Sequence, residues 1–130
     1  MTRNTALYWG TILLSLYILF NACQSEQTIR TAQYAVNGQQ LFMTHCQNCH
    51  GAKGEGLGEL YPTLADSTSL IQHREQLPCF IKYGRGDMPA NSQLAPIEIA
   101  YILTYIGNSF GNRMGLITLE EVQTALESCD

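Results

Sequence analysis

The sequence predicts an all-α fold. No alternating apolar and polar run is long enough to build a sheet. Two segments carry strong helix signals, and glycine-rich stretches separate short apolar runs elsewhere. Pro96 to Asn108 begins with proline at the first helical position, and Ile97, Ala100, Tyr101, Leu103, Thr104 and Ile106 leave it apolar around most of its circumference. Thr118-Leu119-Glu120-Glu121 is a capping box, and Leu119, Val122, Ala125, Leu126 and Cys129 then mark one helical face.

Taken in chain order, the first element is apolar. Residues 1–5 carry one basic side chain, Arg3, and no acid; Leu7 to Phe20 is free of charge and rich in Leu, Ile and Tyr. That length suits a signal-peptide core and falls short of the ~20 apolar residues of a bilayer-spanning helix. The run ends in Leu19-Phe20-Asn21-Ala22-Cys23, a small residue directly before cysteine, which resembles a bacterial lipoprotein cleavage box. The resemblance implies residues 1–22 as signal peptide and Cys23 as the first mature residue, lipidated on its sulfur and amine. Phe20 and Asn21 depart from the residues that such a box favours. An ordinary signal peptide with a chance cysteine, or an uncleaved anchor, remain alternatives, and all three place residues 24–130 outside the cytoplasm. Residues 23–35 read as a lipid-anchored polar tether, because Gln24 to Ala35 lacks helical periodicity until its end. Extended, that stretch reaches up to ~40 Å.

Asn37 can cap a helix through Gly38-Gln39-Gln40-Leu41-Phe42-Met43, which runs into Cys46-Gln47-Asn48-Cys49-His50. Two cysteines three positions apart with histidine after the second is the signature of covalent c-type haem attachment. Each thiol adds across one vinyl group, and the histidine lies under the iron as proximal ligand. Shuffling this composition gives the pattern roughly once in 200 tries. Half a zinc site would need a second Cys/His pair at ligand spacing, and a thioredoxin-like pair would need a βαβ context; neither is present. Gly51 to Gly58 has glycine too often for regular structure, and without a preceding strand or a Lys-Ser/Thr pair it is a poor phosphate loop. Asp66 or Ser67 can cap a short helix through Arg74, and Leu77 to Tyr83 reads as another, stopped by Gly84 and Gly86.

Five cysteines are present. With Cys46 and Cys49 assigned to haem and Cys23 to lipid, Cys79 and Cys129 remain, in a compartment where thiols oxidise. A Cys79–Cys129 disulfide is expected. Its 51-residue loop gives a chain-entropy contribution of roughly 4 kcal/mol. The alternatives are Cys79 as a buried small apolar residue and Cys129 as a free thiol.

Cleavage before Cys23 leaves 108 residues, enough for one small domain. Six basic against eleven acidic side chains then give a formal charge of −5 with no basic stripe, which argues against nucleic acid as a partner. Lys53, Lys82 and Arg85 are too few for a docking patch and read as solvated charges.

The chain resembles the small monohaem cytochrome c family over residues 36–110. The matches are Gly38-x-x-Leu41-Phe42, the haem motif, Gly51-x-x-Gly54-x-Gly56, Pro62-Thr63-Leu64, Ile81-x-x-Gly84, Met88-Pro89 and Ile102-x-x-Tyr105-Ile106. The resemblance implies short helices wrapped around one covalent haem, with Gly38 letting the aromatic Tyr105 approach where the first and last helices cross. It also implies that the Pro62 carbonyl accepts a hydrogen bond from His50, orienting it. Residues 111–130 depart from the family as an extra C-terminal helix packed on the same domain.

Candidates for the sixth iron ligand are Met43, Met88, Met114, His45 and His73. Met43 and His45 precede Cys46 too closely, His73 reads as a surface residue, and Met114 follows the late helix in a Gly-flanked turn. Met88, in Gly86-Asp87-Met88-Pro89, has a flexible approach and a rigid stop, and it matches the family's ligand position. His50/Met88 ligation implies electron transfer between redox proteins with no small-molecule substrate. A relay subunit of a larger respiratory or reductase complex is the alternative reading. A haem enzyme or gas-binding protein would instead need a displaceable sixth ligand.

Overall fold

The computed structural model describes the backbone of residues 3–129, with side chains described except at residues 3–6 and 21–25. Among these residues are six helices and no strand; two isolated bridges, Leu57 with Tyr61 and Arg85 with Met88, are the only strand-like pairings. The helices are α1 (Arg3–His45), α2 (Gln47–His50), α3 (Ser67–Gln72), α4 (Leu77–Tyr83), α5 (Pro96–Asn108) and α6 (Leu119–Glu127). The chain divides into two compact units, residues 1–30 and 31–130.

In the first unit the helix leaves Leu7, Trp9, Leu13, Leu14 and Ile18 exposed. Among the described residues no helix is long and apolar enough to cross a membrane. The side chain of Cys23 lies outside the described residues. The stretch read as a polar tether without helical periodicity is helical, since α1 runs through residues 24–35. The segment from Gln24 to Val36 contains no glycine or proline, and Gln, Glu, Arg and Ala are good helix formers, so nothing local stops the helix. For the same reason Asn37 is not a cap. It lies within the helix, and its Nδ2 donates to the Gln33 carbonyl at 3.0 Å.

In the second unit α4, α5 and α6 pack on one another, and the end of α1 closes the core against α5. Phe42, Ile99, Ile102, Leu103 and Val122 are each 1% exposed or less. At Gly38 the two backbones nearly touch: a Cβ there would collide with the Tyr101 carbonyl and stand 2.8 Å from Tyr105 Cβ. Around that point Tyr34 meets Tyr101 edge-on at 4.8 Å between centroids, and Phe42 meets Tyr105 at 5.4 Å. Phe110, just past α5, has φ 57°, and its ring fills the space left by the missing side chain of Gly54.

The helix ends obey the local signals. Asp66 accepts from the N–H groups of Thr68 and Ser69, Glu98 accepts from Ala95 N–H at 2.8 Å, and Thr118 and Glu121 close the capping box. The residues after α5 are tied down by side chains reaching backbone. Thr104 Oγ1 donates to the Ile117 carbonyl and accepts from its N–H, both within 3.2 Å. Asn112 Nδ2 donates to Leu64 O at 2.7 Å and Ile106 O at 2.8 Å. The Arg74 guanidinium donates to Met114 O, Leu116 O and the Glu121 carboxylate. Cys79 on α4 and Cys129 after α6 lie 5.7 Å apart between Cα atoms in disulfide geometry.

Candidate functional site

The haem motif continues from α1 with hardly a break: Cys46 N–H donates to Phe42 O at 2.9 Å and His50 N–H to Cys46 O at 3.0 Å. Helical spacing of three and four residues puts Cys46, Cys49 and His50 on one side. All three face a cavity of about 440 Å³, within the usual range of ligand pockets of about 300–1,000 Å³. Leu70, Leu77, Ile81, Ile102, Leu103 and Ile106 supply its apolar walls, and Met88 lines it as well.

His50 is 9% exposed, and its Nδ1 lies 3.0 Å from the Pro62 carbonyl. A carbonyl can only accept, so Nδ1 is the donor, and in the neutral ring this tautomer keeps its lone pair on Nε2. The glycine loop makes that contact possible. Gly56 N–H donates to His50 O at 2.8 Å, and a side chain at Gly56 would collide with the Tyr61 and Pro62 carbonyls. Leu57 N–H donates to Tyr61 O at 2.8 Å, and Leu64 N–H and Thr63 Oγ1 both donate to Gly54 O, which pins the chain on both sides of Pro62. Neither Cys46 nor Cys49 is in a disulfide, and before haem is attached burial, with a smaller contribution from Cys49, pushes the Cys46 thiol up to about 11.

Met88 arrives on a turn. Gly84 ends α4 at φ 82°, and a Cβ there would lie 2.6 Å from Met88 O. Arg85 and Met88 exchange two backbone hydrogen bonds of 3.1 and 3.0 Å across Gly86-Asp87, with Gly86 at φ 57°. The rival ligands are disposed differently. Met43 is 56% exposed, and Met114 packs on Gly107 in the core instead of lining the cavity. His45 does line it, and so does His73, which is half-buried at the cavity wall. His73 follows α3 with Nδ1 2.9 Å from Ser69 O and its ring 6.2 Å from Phe80, a placement set by how α3 meets α4. Lys82 is a correction: it is not a freely solvated charge, because Nζ donates to Ser92 O and Leu94 O. Arg85 lies over the Phe80 ring at 4.4 Å.

The donor set suits a haem better than a bare metal ion. Among the described residues no three His, Cys, Asp or Glu side chains come together as a metal site. An iron that brings its own equatorial nitrogens needs only an imidazole and one further donor, and the two thiols suit covalent attachment.

The family model described as Cytochrome C oxidase, cbb3-type, subunit III matches residues 33–106. No curated protein matches the chain. The matched stretch covers more than half of the sequence and contains Cys46, Cys49, His50, Pro62 and Met88. The chain thus belongs to this family, a monohaem cytochrome c whose cofactor is a covalently bound c-type haem and whose chemistry is haem-based electron transfer.

Proposed function

We propose that the chain is an extracytoplasmic electron carrier holding one haem through Cys46 and Cys49, with His50 and Met88 as axial ligands and a lipid on Cys23. Bound there, the haem supplies a one-electron Fe(III)/Fe(II) couple. The observation that carries the reading is the convergence of Cys46, Cys49, His50 and Met88 on one apolar cavity, with Pro62 orienting His50. Pro62 holds the imidazole in one tautomer and one ring orientation. The Met88 thioether is a soft donor that favours the reduced state. Two protein ligands leave no position for dioxygen or peroxide, so no substrate is turned over, and the apolar walls keep water from reorganising on electron transfer. A Cys79–Cys129 disulfide braces α4, which delivers Met88. The partners are redox proteins, with the membrane reached through the lipid.

The optical spectrum of the oxidised protein tests this. A methionine–Fe(III) charge-transfer band is expected in the unmodified protein and not in Met88→Ala; a band that survives Met88→Ala overturns the ligand assignment. The match to a family described as an oxidase subunit favours one second reading, a haem relay within a larger respiratory complex. Stoichiometric co-purification with such a complex from native membranes would establish it.

A further inference from the structure

Met88 reaches the cavity on a segment with little packing of its own, and one side chain fastens that segment from behind. From Gly84 to Ala95 the chain has no helix, and Leu94 is its only fully buried large side chain. Beyond the helix-ending bond from Gly84 N–H to Phe80 O, one backbone hydrogen bond returns it to α4, Asn91 N–H to Ile81 O at 3.0 Å. Lys82, in the last turn of α4, supplies two more: its ammonium donates to Ser92 O at 2.6 Å and Leu94 O at 2.7 Å. Both are charge-assisted, and the cation also lies at the negative end of its helix. We infer that Lys82 is a positioning residue for the sixth iron ligand, clamping the Met88 segment closed on α4.

The inference rests on Met88 being that ligand. The physical argument is a two-state one. In the closed state Met88 faces the cavity and Lys82 bonds both carbonyls; in the open state the 85–94 segment swings out and Met88 leaves the iron. An added ligand binds only the open state, so its apparent affinity falls with the stability of the closed one. Hydrogen bonds from a charged donor are strong enough that losing this clamp should move that equilibrium about tenfold or more.

The test titrates imidazole into the oxidised full-length holoprotein, reading loss of the methionine–iron charge-transfer band, beside urea unfolding followed by far-ultraviolet circular dichroism. Lys82→Met keeps the aliphatic stem and removes the donors; it should bind imidazole about tenfold more tightly or better. Lys82→Arg, whose fork can reach both carbonyls, should stay within about threefold of the unmodified protein. Unchanged imidazole affinity in Lys82→Met overturns the inference, even if the variant unfolds more easily, because a merely structural lysine would do only that. An unmodified protein without the band sinks the Met88 assignment itself, a failure distinct from unchanged affinity with the band intact. Should Lys82→Met not accumulate, Lys82→Gln, too short to bridge both carbonyls, is read by the same criterion.

Discussion

Replacing Gly38 with alanine adds one methyl group at the closest approach of two helices. In a solvent-facing helix the change stabilises by about 1 kcal/mol, because alanine has less backbone entropy to lose. Here the new Cβ would run into the Tyr101 carbonyl and lie 2.8 Å from Tyr105 Cβ. Neither is the free end of a side chain, so α1 and α5 must move apart and loosen the Tyr34–Tyr101 and Phe42–Tyr105 contacts. Overpacking of a rigid core costs about 1–3 kcal/mol, and a backbone obstacle puts this site at the upper end. Less the gain in propensity, the expected loss is about 2 kcal/mol. With a urea dependence of about 1–3 kcal/mol per molar, the midpoint should fall by about 1 M. Gly107→Ala is the control, because the nearest atoms its Cβ would meet belong to the Met114 side chain, at 3.2 Å from Cβ and 3.3 Å from Sδ, a tight contact that a shift of a few tenths of an ångström relieves without moving backbone carbonyls apart. It should change stability by less than about 1 kcal/mol. If Gly38→Ala proves as stable as the parent under urea, followed by circular dichroism with the haem attached, the helix crossing is wrong.

Three further outcomes are expected. Unfolded, unreduced protein should show no free thiol at Cys79 or Cys129, and Cys129→Ser should cost up to roughly 4 kcal/mol, less where the attached haem already restrains the unfolded chain; two reactive thiols there would remove the clasp. Cys23→Ser should end lipid labelling and either release the protein from membranes or leave it unprocessed, and a variant processed and located as before would dismiss the lipoprotein reading. Partial burial raises the Glu121 pKa, but hydrogen bonds from Thr118 and Arg74 outweigh it and hold the carboxyl below its ordinary 4.5. The unfolded chain therefore takes up that proton first, so this contribution is full above about pH 4.5 and is lost as pH falls through the lowered folded value. Glu121→Gln should flatten the acid side of the stability–pH curve, and an unaltered slope would discount the Arg74–Glu121 link.

By itself the sequence determined the chemistry and the later helices. The haem motif needs only residues three and four apart, and α4, α5 and α6 run over the segments expected from proline, glycine and capping signals. Such signals act within one or two turns, so they are legible locally. The continuity of α1 through residues 24–35 was also local, but its evidence was the lack of any helix breaker, which periodicity does not register. Tertiary structure decided what the loops hold. Arg74 reaches Met114 across 40 residues, His73 is turned into the cavity wall by the α3–α4 junction, and Phe110 seats itself over Gly54. Lys82 finds two carbonyls 10 and 12 residues away that no pattern of side chains marks. Backbone carbonyls are present at every residue, so which of them a half-buried cation meets depends on how the chain folds back, and folding back is a property of the whole core.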